Sequence, residues 1–143
     1  MFQKTRTDTP KRALLVDDDI PILRALDARL KHSGFEVAVM KDSSTALAHI
    51  DRFKPDVALL DINMPGLDGF QLAQKILAKH PTCGLIFITA NVAEGIRAQA
   101  DDLGGLLHEK PFNSSRLMKD LDAFINEKSV SYTHLTLPTK RIV

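Results

Sequence analysis

The chain is 143 residues long, 44% hydrophobic and 26% charged, with a formal net charge of +1. That length suits one domain with a real core, while no apolar run approaches the roughly 20 residues of a membrane span and no basic run marks a nucleic-acid face. The single cysteine, Cys83, cannot form an internal disulfide, which fits a reducing cytoplasm, and the polar stretch from Met1 to Lys11 lacks the apolar core of a signal peptide.

Residues 1–11 have no period and are expected to form a flexible lead-in. Ala13-Leu14-Leu15-Val16 then reads as a buried strand, broken by Asp17-Asp18-Asp19. Pro21 suits the first turn of a helix capped at Asp19 or Ile20, with Ile22, Leu23, Leu26 and Leu30 on one face and Gly34 just past its end. Phe35 to Met40 is expected as a second strand. Asp42-Ser43-Ser44 offers caps for a helix carrying Ala46, Leu47, Ile50 and Phe53 inward.

Val57-Ala58-Leu59-Leu60 reads as a strand buried on both faces. It ends in Asp61, followed by a Pro65-Gly66 turn and the pair Asp68-Gly69. A helix from Phe70 to Lys79 places Leu72, Ile76 and Leu77 inward and stops at His80-Pro81. Leu85-Ile86-Phe87-Ile88 is the fourth strand, ending at Thr89-Ala90. The pattern predicts a helix from about Val92 to Leu103, then Gly104-Gly105 and a short strand at Leu106-Leu107. Lys110-Pro111-Phe112 follows. Asn113 or Ser114 caps a last helix with Leu117, Leu121, Phe124 and Ile125 on one side. Five strands alternating with five helices through short loops imply right-handed crossovers, hence an α/β domain with a doubly wound parallel sheet.

From about Ser129 the period stops. Val130-Ser131-Tyr132-Thr133-His134-Leu135-Thr136-Leu137-Pro138-Thr139 resembles the translation of a transposon-type sequencing adapter, so residues 129–143 are expected to be read-through or a flexible tail, and 12–128 the domain. Whether a further domain followed residue 128 in the natural gene stays open.

In a parallel sheet the carboxyl ends of the strands share one edge, the edge where open α/β sheets bind ligands. Asp17, Asp18, Asp61, Thr89 and Lys110 all stand there. Three carboxylates in one place repel and desolvate each other; a hard divalent cation relieves both costs, and Mg²⁺ takes carboxylate oxygens, waters and phosphate together. Lys110 and Thr89 could contact the oxygens of a phosphoryl group on Asp61. Read singly, Asp61 could merely cap a turn, Asp17 to Asp19 a helix, and Lys110 could be solvated; Asp19 is read as a cap. His32, His49, His80 and His108 lack metal-ligand spacing.

The ordered set Leu15-Val16-Asp17-Asp18, Asp61-Ile62-Asn63-Met64-Pro65-Gly66-Leu67-Asp68-Gly69, Ile88-Thr89-Ala90 and Lys110-Pro111-Phe112 resembles the receiver domain of bacterial two-component response regulators, over roughly Arg12 to Lys128. The resemblance implies a flavodoxin-like, chemotaxis-regulator-like sheet of order 2-1-3-4-5 with five helices, acting in the cytoplasm. It implies a phosphoacceptor signalling domain rather than an enzyme, limited to its own phosphotransfer and slow autodephosphorylation. Asp61 would take the phosphoryl group from a phosphohistidine of a sensor histidine kinase or phosphotransfer protein. Asp17, Asp18, Asp61 and the Asn63 backbone carbonyl would hold Mg²⁺ or Mn²⁺, Asp17 through water. Ala90 and Asn63 would bind the phosphoryl group, Lys110 would pair with it across a cis bond to Pro111, and Thr89 would move its hydroxyl onto it. Asn63 and Asn91 occupy the positions that tune hydrolysis.

The output face of the fourth helix, fifth strand and last helix would then change affinity for a downstream effector or a second receiver. No nucleic acid or membrane contact is implied for this domain. Leu107 stands where the family carries Tyr or Phe, and Leu103-Gly104-Gly105 replaces a usual Gly-Ala pattern, so the readout departs from the common form. Two other readings stay open. One is a receiver-like binding module that works without phosphorylation. The other is a haloacid-dehalogenase-type phosphatase built on Asp17 and Asp19, against which Pro21 stands where that motif wants Thr or Val.

Overall fold

The structure, a computed structural model, describes residues 11–64 and 66–129. Pro65, the lead-in through residue 10 and the adapter-like stretch from Val130 lie outside the described residues, as does the side chain of Ile125. In chain order the elements are β1 (Arg12–Val16), α1 (Ile20–His32), β2 (Glu36–Met40), α2 (Ser43–Phe53), β3 (Val57–Asp61), α3 (Gly69–Lys79), β4 (Gly84–Thr89), α4 (Ile96–Asp102), β5 (Leu106–Glu109) and α5 (Ser114–Ser129). The chain divides after Phe112 into two compact units, the second carrying α5.

All strand pairs are parallel, in the order β2-β1-β3-β4-β5. β3 and β4 occupy the middle, and every residue of both is buried, which is why they read as unbroken apolar runs rather than alternating ones. One sheet face packs Leu14, Val16, Ala58, Leu60, Leu85 and Phe87 against α2, α3 and α4. On α1, Leu23, Leu26 and Leu30 are buried outside that cluster and the helix packs on β1 and β2. Within the second unit, Asn113 Oδ1 accepts the Arg116 N–H at 2.9 Å, and Leu117 and Leu121 are fully buried.

Each helix start has a local cause. Asp19 caps α1 through the Ile22 N–H, with Pro21 in the first turn, and Asp42 caps α2 through Thr45 N at 2.8 Å. Asp68 and Gln71 form a reciprocal capping box on α3. Gly34, at φ 97°, closes α1 in the left-handed region.

Several boundaries differ from the sequence reading. Helix α4 is seven residues long rather than the twelve from Val92 to Leu103, because Gly95 at φ 91° breaks the chain before it and Thr89 hydrogen-bonds Asn91. Strand β5 extends through Glu109, paired along β4 to Thr89, so Lys110 follows the strand directly. Ile22, Leu47, Phe53 and Leu77 are half-buried at the rims of their helix faces, not fully inward.

Candidate functional site at the carboxyl edge of the sheet

The register of β1, β3, β4 and β5 brings the polar strand ends together. Asp17 follows β1, Asp61 closes β3 opposite Ile88, and Thr89 closes β4 opposite Glu109. Asp17 and Asp61 are about as buried as core residues, at 4% and 5% exposure, while Asp18 is exposed. Among the described residues these three form the acidic group placed to hold a metal ion, each offering a carboxylate oxygen within 4.8 Å of the others. None of His32, His49, His80 and His108 belongs to it; His108 is buried in β5.

Lys110 Nζ lies 3.0 Å from Asp17 Oδ2 and 3.7 Å from Asp61 Oδ2. Its bond to Pro111 is cis. One ammonium between buried carboxylates leaves the site short of positive charge. Burial first and the Asp17 charge second together push the Asp61 carboxyl up to about 7 from its ordinary 3.8, with Lys110 only partly opposing them. Burial alone would lower the Lys110 pKa, but its hydrogen bond to Asp17 and the charges of Asp17 and Asp61 outweigh that and raise it. An all-oxygen donor set with excess negative charge suits a hard divalent cation of the Mg²⁺ kind.

Around this centre the neighbouring loops are tied to it. Asp17 Oδ1 accepts the Asp19 N–H at 2.9 Å, and Asp61 Oδ1 accepts the Asn63 N–H at 3.2 Å. Asn63 and Thr89 also meet through their side chains at 3.3 Å. Ala90 and Asn91 follow Thr89 at the rim and are exposed. Leu107 is half-buried on β5 beside the exposed Leu106.

Two residues had no site role in the sequence reading. Ser43 is buried, and its Oγ accepts the Leu67 N–H at 3.2 Å, tying the start of α2 to the loop after Asp61. Gly69 lets α3 start against the end of β3: a Cβ there would stand 2.5 Å from the Asp61 carbonyl oxygen and 2.9 Å from Ile62 Cα. The Asp68-Gly69 pair was the visible signal for the second; nothing in the sequence marks the first, since a serine in a helix's first turn reads as a cap.

The loop after β1 carries three aspartates where a dinucleotide-binding sheet would carry glycines. With the 2-1-3-4-5 strand order, this defines a receiver-type signalling domain rather than a nucleotide-binding fold. The sequence matches the response regulator receiver domain family over residues 13–122, and the chain belongs to that family. It is 33% identical over 130 residues to the transcriptional regulatory protein PrrA of Mycobacterium tuberculosis, covering 87% of this chain and 54% of that protein. It is 41% identical over 96 residues to the response regulator PleD of Caulobacter vibrioides, covering 65% of this chain and 21% of PleD. Among solved structures, a CheY-like receiver domain from Methanospirillum hungatei superposes with a TM-score of 0.79 at 26% identity, covering 86% of this chain and 99% of that one. The chain thus spans about half the length of the curated transcriptional regulators it matches. It carries a receiver domain of two-component signalling, and receivers of this family bind Mg²⁺ at an acidic pocket of this kind.

Proposed function

We propose that Asp61 is the phosphoacceptor. The observation that carries this reading is its position: a buried carboxylate closing a central strand, with Asp17 and Asp18 within 4.8 Å and Lys110 Nζ 3.7 Å away. An Asp61 oxygen attacks the phosphorus of a phosphohistidine on a sensor histidine kinase or phosphotransfer protein. The P–N bond breaks, its electron pair returns to the imidazole, and an acyl phosphate forms on Asp61. A water later attacks the phosphorus and restores the carboxylate.

Asp17, Asp18, Asp61 and the Asn63 backbone carbonyl are the groups that would hold Mg²⁺ or Mn²⁺. When bound, that cation neutralises the carboxylates and screens the incoming phosphoryl oxygens. Lys110 is already aimed between Asp17 and Asp61 and swings to the phosphoryl group as its charge arrives. Thr89 and the backbone at Ala90 supply hydrogen bonds on the opposite side, and Asn63 and Asn91 flank the path of the hydrolytic water. A phosphoryl group adds about −1.5 to −2 charges at neutral pH. The rearrangement of Lys110 and Thr89 biases the packing of α4 and β5, and so binding of an effector or a second receiver in the cytoplasm. Leu107, lacking a hydroxyl, reports that change by packing alone.

Intact mass of the chain with acetyl phosphate tests the assignment. One Mg²⁺-dependent phosphoryl adduct is expected, lost in Asp61→Asn with the fold retained. Mg²⁺-dependent labelling at an unchanged level in that variant would overturn it.

A further inference from the structure

Thr89 is wholly buried, and its hydroxyl is saturated. Oγ1 donates to the Asn91 carbonyl at 3.3 Å, accepts the Asn91 backbone N–H at 3.1 Å, and accepts from Asn63 Nδ2 at 3.3 Å. A threonine hydroxyl has one proton and two lone pairs, so nothing is left over. With its proton committed to Asn91, only a donor fits the remaining lone pair, which fixes the Asn63 amide with its nitrogen toward Thr89. The same Asn63 donates its backbone N–H to Asp61 Oδ1 at 3.2 Å. One residue therefore touches the acceptor carboxylate through its main chain and the Thr89 hydroxyl through its side chain.

We infer that Asn63 is a positioning residue that holds Thr89 in its resting place and releases it when Asp61 is modified; this rests on the phosphoacceptor reading above. To give its proton to a phosphoryl oxygen, Thr89 must surrender the Asn91 carbonyl and turn Oγ1 away from both donors. The Asn63 amide, freed beside Asp61, then donates to the phosphoryl oxygens itself. In the modified domain the amide exchanges one acceptor for another. In the unmodified domain no phosphoryl oxygen waits for the freed amide, which returns to water, so its bond to Thr89 counts toward rest by the net weight of one hydrogen bond. Removing it raises the population of the turned Thr89 in unmodified protein about fivefold, the weight of one hydrogen bond between uncharged groups.

The test uses the full chain with ¹³C-labelled threonine methyls, with Mg²⁺ and beryllofluoride as the phosphoryl mimic. The wild-type Thr89 methyl resonance, free and loaded, defines the two ends of a line. In Asn63→Ala and Asn63→Leu, neither of which donates a hydrogen bond, relaxation dispersion of the unloaded protein should show the minor Thr89 state about fivefold more populated, displaced along that line. Asn63 is exposed, so both variants should fold. If both load beryllofluoride but leave the Thr89 population unchanged, or only lower the denaturation midpoint, the inference fails and the phosphoacceptor reading stands. If the wild type takes up neither beryllofluoride nor phosphoryl, the two fail together.

Discussion

The charge balance at Asp61 makes the resting protein sensitive to pH in a particular direction. Its carboxyl is pushed up to about 7 when folded, against 3.8 in an ordinary setting. Between those values the folded state binds a proton that the unfolded chain has released, so stability falls as pH rises through the window. Metal-free protein should therefore lose thermal midpoint between pH 5 and pH 7.5, and Asp61→Asn should lose less. At pH 7.5 the variant should be the more stable of the two, by about 1–2 kcal/mol, because one buried like-charge contact is gone. Millimolar Mg²⁺ should cancel the difference by raising the wild type. Thermal melts at the two pH values, with and without the cation, check all three. A wild type that gains stability from pH 5 to 7.5 without metal would contradict the charge deficit.

At the scale of elements, the close approach of α3 to β3 is the constraint that gives Asp61 its setting. The α3 start is bonded to the chain just after the strand, Gly69 N to Ile62 O at 2.9 Å, and all three atoms nearest a Gly69 side chain are backbone. None can give way cheaply. Gly69→Ala should cost about 2–4 kcal/mol in urea denaturation, well above the usual small effect of adding a methyl, and should weaken Mg²⁺ binding with it. Loss of stability with unchanged metal affinity would separate the helix start from the site. The elements themselves were largely legible, because polar residues end apolar runs at Asp17, Asp61 and Thr89 and the loops before α1, α2, α3 and α5 carry recognisable cap residues. Helix α4 was not. Its apolar spacing extends back to Val92, and what shortens it is the left-handed Gly95 together with the folding of Asn91 onto Thr89, one a backbone choice and the other a tertiary bond. The Asn63–Thr89 contact was equally hidden, since it joins the loop after β3 to the end of β4 through side chains whose spacing in sequence has no period.

Across the molecule, the core is tied to the same elements by one aromatic pair. Phe87, fully buried at the centre of β4, lies 4.8 Å from the Phe70 ring of α3 at 59°. On its other side it leaves no room for a side chain at Gly105, where a Cβ would stand 2.6 Å from its Cε2. One ring thus joins sheet, α3 and the turn into β5. Phe87→Ala should cost about 3–5 kcal/mol, seen as a lower urea midpoint with an unchanged slope; a loss under 1 kcal/mol would mean that the core closes over the gap. Gly104-Gly105, which stands in place of a usual Gly-Ala pattern, is a packing requirement at its second position.

The parallel register has a consequence for how such a chain can vary. Asp17, Asp61, Thr89 and Lys110 come from four strands, and each reaches the crevice only because its strand ends where its neighbours end. A strand's side chains alternate between faces, so a single inserted or deleted residue within β3 would rotate Asp61 to the opposite face and away from Lys110. At the opposite edge, the turn from His80 to Cys83 bears none of these groups. Gains and losses of residues should therefore be admitted freely at the amino edge of the sheet and almost never at the carboxyl edge.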